Sequence, residues 1–226
     1  MKKLLLSLFI VLIVSSAHAQ LRLGLTASPG ISWFKTDSKL TNSEGVAPGL
    51  TLGLLLDVRI GENERYAFSS GLALAMCGGN LERTIPDADT AHADTMFTFH
   101  NQLQYVNIPL TFRMRTNEIG YITYYGQFGI TPGINIRARG TTDRSPGNSI
   151  AKENYNPEIG LFNMSLSFGG GIEYSLSEST ALLLGIYFDS GFLPVVDKKE
   201  DTFLDKDEAN TRTVIKNLGI KIGIFF

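Results

Sequence analysis

The sequence predicts an all-β fold, an eight-stranded antiparallel transmembrane up-and-down β-barrel, and three observations carry that prediction. Apolar residues alternate with small or polar ones at a period of two, over segments longer than most globular strands. Short and long connections take turns between those segments. No apolar run beyond the N-terminal segment approaches the ~20 residues that a spanning helix needs, so a chain of this composition enters a membrane as strands.

The N-terminal segment reads as a secretory signal peptide. Lys2 and Lys3 precede an apolar run of eleven residues from Leu4 to Val14, and the triplet Ala17-His18-Ala19 offers a small-residue cleavage site before Gln20. Residues 1–19 are therefore expected to be removed, and 20–226 to form one outer-membrane β-barrel domain. The sole cysteine is Cys77, so neither a lipid-anchored start nor an intramolecular disulfide is expected, and Cys77 reads as a small packed side chain. Removing Lys2 and Lys3 takes the formal net charge from -2 to about -4, which leaves no basic footprint for nucleic acid.

The strands are expected at Leu21 to Phe34, Pro48 to Arg59, Tyr66 to Gly78, Asn101 to Arg115, Tyr121 to Ala138, Asn163 to Tyr174, Ala181 to Phe192 and Thr213 to Phe226. In the first, Pro29 and Gly30 suggest a bulge or bend. Leu50, Leu52, Leu54, Leu56 and Val58 mark the outer face of the second. In the fifth, Ile122, Tyr124, Phe128, Ile130, Ile134 and Ile136 face lipid, and Thr123, Gln127, Thr131, Asn135 and Arg137 face the lumen. Met164, Leu166, Phe168, Ile172 and Tyr174 mark the sixth outer face, and Leu182, Leu184, Ile186 and Phe188 the seventh. The last strand puts Leu218, Ile220, Ile222, Ile224 and Phe226 outside and sets Lys221 between Gly219 and Gly223 within.

Connections at Gly61 to Arg65, Thr116 to Gly120 and Ser175 to Thr180 are tight. Those at Lys35 to Ala47, Asn80 to His100, Arg139 to Pro157 and Leu193 to Arg212 are long and polar. This is the asymmetry of periplasmic turns against extracellular loops, and an even strand number puts both termini on the periplasmic side. Aromatic girdles are expected from Tyr66, Tyr121, Tyr174 and Phe226 at the periplasmic rim, and from Trp33, Phe34 and Phe192 at the outer one. A soluble lipocalin-like barrel would also have eight strands, but its outer face would be charged, whereas here the face opposite the aliphatics is mostly Gly, Ser, Thr, Asn and Gln.

Side chains can fill a barrel of this size, so transport through it is not expected. Its inward ionisable residues are expected to be Arg22, Asp57, Arg59, Arg113, Arg115, Arg137, Glu173, Asp189 and Lys221, a mixed set able to pair internally in a lumenal polar network. Chemistry has little support. His92 and His100 are the mature histidines, close to Asp87, Asp89 and Asp94, but the spacing matches neither a zinc site nor an EF-hand loop. A Ser-His hydrolase or acyltransferase would need one of those histidines, and no Gly-x-Ser-x-Gly element is present. Gly169-Gly170-Gly171 lacks the ending and helix of a phosphate-binding loop and reads as strand, leaving lumenal space for a neighbour such as Arg113 or Tyr125. No cofactor, metal or catalytic residue is expected.

The run Tyr105-Val106-Asn107-Ile108-Pro109-Leu110, then Phe112-Arg113-Met114-Arg115, then Tyr121-Ile122-Thr123-Tyr124-Tyr125-Gly126-Gln127-Phe128-Gly129, resembles the PorT-like outer-membrane β-barrel family of Bacteroidetes. Tyr105, Ile108, Pro109 and Leu110 form its most recognisable element, and Gly169-Gly170-Gly171-Ile172-Glu173-Tyr174 is similar too. The resemblance implies an integral outer-membrane barrel and, for PorT itself, an accessory part in type IX protein secretion. Pro109 removes a ladder donor from a central strand, and a bulge is expected to absorb it. The expected partners are outer-membrane lipid, the barrel-assembly machinery, which would read the terminal Phe226, and other secretion subunits. The alternatives are a stand-alone structural or adhesive barrel and a lipid-modifying enzyme.

Overall fold

The computed structural model describes residues 21–37, 41–61, 65–85, 95–145, 150–153, 159–195 and 212–226. The expected signal peptide, His92, Asp87, Asp89 and Asp94 lie outside the described residues. Eleven strand segments form the sheet: β1 Leu21–Thr36, β2 Thr41–Ser43, β3 Ala47–Ile60, β4 Tyr66–Ile85, β5 Thr95–Asn107, β6 Leu110–Arg115, β7 Ile122–Ser145, β8 Ile150–Glu153, β9 Phe162–Ser175, β10 Ala181–Gly191 and β11 Thr213–Phe225.

The ring closes because β1 pairs antiparallel with both β3 and β11. Around it the order is β1, β3, β4, the joint stave β5–β6, β7, β9, β10 and β11, which makes eight staves with no free edge. β5 and β6 count as one because Pro109 only interrupts them. Ala73 opposes Asn107 and Ser69 opposes Thr111 on one side, while Asn107 opposes Gly133 and Leu110 opposes Ile130 on the other, so the register is the same before and after the proline. The expected bulge at Pro109 is absent, since a single missing donor is tolerated when Ile108 N still bonds Pro132 O at 2.9 Å. β1 likewise keeps one register with β3 from Leu21 to Ser32, through Pro29 and Gly30, without the expected bulge.

Alternation places Leu21, Leu23, Leu25, Leu52, Leu54, Leu72, Phe128, Ile130, Ile186 and Ile220 on the exposed outer wall. Inside, serines, threonines and glycines share the space with a few large side chains. Tyr121 and Tyr174 stand together outside at the end with the short turns, their rings 6.2 Å apart. At the other end Trp33 faces outward against Phe188, but Phe34 does not join it: as its neighbour in the strand it must point inward, and it is buried.

Strand pairing also reaches further than the polar composition suggested. β4 and β5 stay paired out to Ile85 and Thr95, and β7 follows β5 to Ser145. Much of the expected loops Asn80 to His100 and Arg139 to Pro157 is thus sheet that rises past the apolar band, because ladder hydrogen bonds need no apolar side chains.

Candidate functional site

The lumen is built in three layers. Nearest the short turns, five ionisable side chains from four staves converge: Arg22 on β1, Asp57 on β3, Arg113 and Arg115 on β6, and Glu173 on β9. Arg113 Nη1 donates to Asp57 Oδ2 at 2.8 Å and to Glu173 Oε1 at 3.3 Å, and its Nη2 donates to Gln127 Oε1 at 2.8 Å. Arg115 Nη2 reaches the same Asp57 oxygen at 2.5 Å, and Arg22 Nη1 reaches Glu173 Oε2 at 3.0 Å. Ser69 Oγ donates to the remaining oxygen of Asp57. Three guanidinium groups on two carboxylates leave one formal positive charge, and aromatic faces cover it. Arg113 lies 4.8 Å from the Tyr125 ring centre and 5.4 Å from that of Phe225, which also carries Arg22 at 4.5 Å.

The position of Tyr125 depends on glycine. Tyr125 opposes Gly171 across β7 and β9, and Gly171 opposes Gly185 across β9 and β10. A Cβ on Gly185 would come within 2.3 Å of the tyrosine oxygen, so the ring occupies space that any other residue would fill.

The middle layer holds a small cavity of ≈ 70 Å³, where the polar groups of Ser28, Thr131, Ser167, Asp189 and Lys221 meet apolar ones such as Leu55 and Cys77. Ser167 hydrogen bonds to Asp189, and Thr131 and Ser167 bond each other at 2.7 Å. Lys221 lies beneath the Tyr187 ring, 5.8 Å from its centre, between Asp189 and the arginine layer. The third layer is apolar: Phe34, Ala75, Cys77, Leu103, Tyr105, Ala138, Val195 and Ile215 pack as one cluster. Val195 comes from beyond β10 and is pinned by Val195 N to Thr213 O at 2.8 Å and Gly160 N to Val195 O at 2.7 Å. An ionic layer therefore fills one end of the lumen and an apolar layer the other.

Of the residues expected in the lumen, Arg22, Asp57, Arg113, Arg115 and Glu173 come together in the ionic layer, and Asp189 and Lys221 sit in the middle one. Arg59 lines a polar vestibule of ≈ 610 Å³ at the short-turn end, beside Arg22, Arg115 and Glu173. Arg137, expected in the lumen, lies on the outer face instead. Gln104 opposes Arg137 while Tyr105 opposes Asn135, so Ile136 is an extra residue in β7. That β-bulge shifts the alternation by one, leaving Ile136 and Arg137 both on the exposed outer face and returning Ala138 to the lumen. Tyr105 is buried across from Asn135 at this bulge, whereas Ile108 points outward.

His100 Nδ1 lies 2.9 Å from Asn80 Oδ1 on the outer face. Among the described residues no group of three or more His, Cys, Asp or Glu is placed to hold a metal ion. Phe226 is exposed at the end of β11, where its backbone N bonds Leu23 O at 2.8 Å.

No curated protein sequence matches the chain. Among solved structures, it is similar in fold to Neisserial surface protein A, with a TM-score of 0.42 and 11% identity over 90% of this chain and 95% of that one. OprG from Pseudomonas aeruginosa gives 0.38 and 14%, covering 91% and 94%. The protease OmpT from Escherichia coli gives 0.38 and 9%, covering 91% and 96%. Likenesses this distant concern the barrel and carry nothing about activity. The sequence of residues 15–197 matches the outer membrane protein beta-barrel domain model. With that match and a closed eight-stave ring whose outer wall is apolar, the chain belongs to the outer membrane protein β-barrel domain family.

Proposed function

We propose that the protein is a closed, non-enzymatic outer-membrane barrel that acts through its surfaces, as a component of type IX protein secretion. The single observation that supports a surface role is the filled lumen. Arg113 and Asp57 have no exposure at one end, and Val195 and Leu103 are sealed into the apolar layer at the other. A barrel so filled offers partners its wall, its turns and its projecting β4, β5 and β7. The secretion role rests on the resemblance of Tyr105-Val106-Asn107-Ile108-Pro109-Leu110 and the strands after it to the PorT-like family. The short-turn end faces the periplasm in this reading, with both termini, and the projecting sheet faces outward.

The test compares proteins released to the surface and the medium by a deletion strain and its complemented parent. Accumulation of sorting-domain cargo in the periplasm, reversed by complementation, is the expected result. Unchanged secretion would overturn the secretion role and leave a stand-alone structural or adhesive barrel, which the strands rising past the apolar band also favour. A lipid-modifying enzyme requires His92 or His100, so full function after replacing both with alanine removes that alternative.

A further inference from the structure

We infer that the outer wall at β4, β5 and β7 holds the phosphorylated sugar headgroup of an outer-leaflet glycolipid, through Arg137 and Arg139. This rests on the orientation proposed above, with the long-loop end outside. The bulge at Ile136 is what creates the site. Without it, alternation from Ile134 would send Arg137 and Arg139 into the lumen. With it, both stand exposed on the outer face, two residues and so ~7 Å apart along the strand.

Their height on the wall decides what they meet. Ile134 and Ile136, directly below on β7, and Phe162, opposite Ile134 on β9, belong to the exposed apolar surface. Arg137 is the next residue, so its guanidinium begins where the apolar band ends, at the level of lipid phosphates. Gln104 lies beside Arg137 and Gln102 beside Arg139 across the β5–β7 ladder. Above them an outward groove of ≈ 360 Å³ is lined by Arg139, Gln102, His100, Asn80, Thr141 and the segment from Val46 to Pro48. Amide, hydroxyl and imidazole groups around a guanidinium suit a phosphosugar: Arg takes phosphate oxygens in a bidentate fork, and the neutral groups take hydroxyls.

The charge pattern confines the anion to one end. Glu82, two residues beyond Asn80 on β4, shares a hydrogen bond with Glu44, which pushes its carboxyl above the ordinary range. Negative charge beyond Asn80, outside the groove, disfavours phosphate on that side and favours the Arg137–Arg139 end for it.

The test uses the full barrel refolded in detergent and titrated with bis-phosphorylated lipid A, dephosphorylated lipid A or inorganic phosphate. The temperature at which the heat-modifiable band is lost serves as readout. Bis-phosphorylated lipid A alone is expected to raise that temperature for the natural chain. The R137Q/R139Q variant should fold equally well and bind at least roughly tenfold more weakly. Equal stabilisation of the variant, an equal effect of the dephosphorylated lipid, or an effect of inorganic phosphate alone would overturn the site. An E44C variant in intact cells tests the orientation separately, by labelling with a membrane-impermeant maleimide. Labelling supports the outward placement. Protection until lysis overturns it, whatever the lipid titration shows, and leaves the type IX experiment to be judged on its own.

Discussion

Arg113 and Asp57 lie 2.8 Å apart with neither side chain reaching solvent, and each has a second ionic partner in the same layer. A pair so placed costs more to break than it contributes when intact, because the group left behind remains desolvated. Arg113→Met is expected to destabilise the barrel by about 3–5 kcal/mol. The measurement is urea unfolding in lipid vesicles followed by Trp33 fluorescence, where an unchanged midpoint would show that the ionic layer is not what holds this end together. Arg113→Lys keeps the charge but loses the fork to Asp57 and Gln127, and should fall between the two.

Gly185 and Gly126 separate lumen from lipid by the same substitution. An alanine methyl at Gly185 collides with the Tyr125 hydroxyl, which displaces the ring under Arg113 and should cost about 1–3 kcal/mol. At Gly126, on the outer face, a Cβ has no heavy atom within 4 Å, so alanine there should change stability by less than about 0.5 kcal/mol. Equal unfolding midpoints for G185A and G126A would contradict the placement of Tyr125.

The two terminal phenylalanines are expected to fail in different ways. Phe225 is buried beneath Arg22 and Arg113, and Phe225→Ala should lower stability by about 3 kcal/mol while the chain still inserts. Phe226 is exposed, and Phe226→Ala should lower the amount of inserted, heat-modifiable protein without moving the unfolding midpoint. Deleting both should reduce insertion and stability together; normal amounts of the double deletion would remove the insertion role.

Cys77 reports on the apolar layer. It is buried among Phe34, Ala75 and Leu103, so a maleimide should leave the folded barrel unmodified and react on unfolding. Placed at position 137, a cysteine should label in the folded state, and at position 138 it should not. Reversal of that pair would mean that β7 runs without its bulge.

Much of this protein is legible in its sequence. Period-two alternation and the rhythm of short and long connections define eight staves, their inward and outward faces and the ring they close, because a bilayer tolerates strands only when every ladder group is paired. The inward position of Asp57, Arg113, Arg115 and Glu173 follows from the same parity. Which of them would meet does not, since Arg22 and Glu173 are 151 residues apart in sequence and converge only through the tilt and register of the closed sheet.

The tertiary structure alone decided where parity breaks. Pro29 and Pro109 looked like the places for a bulge, yet each removes one donor and leaves the register untouched. The bulge falls instead at Ile136, a residue with no local mark of irregularity, opposite the step from Gln104 to Tyr105. A proline's effect is local and can be read from its chemistry. A bulge balances the packing of Tyr105 and Ala138 inside the lumen against the hydrogen bonds of three neighbouring staves, and that balance is a property of the closed barrel, which a single strand does not contain. One extra residue there moved Arg137 from lumen to outer wall.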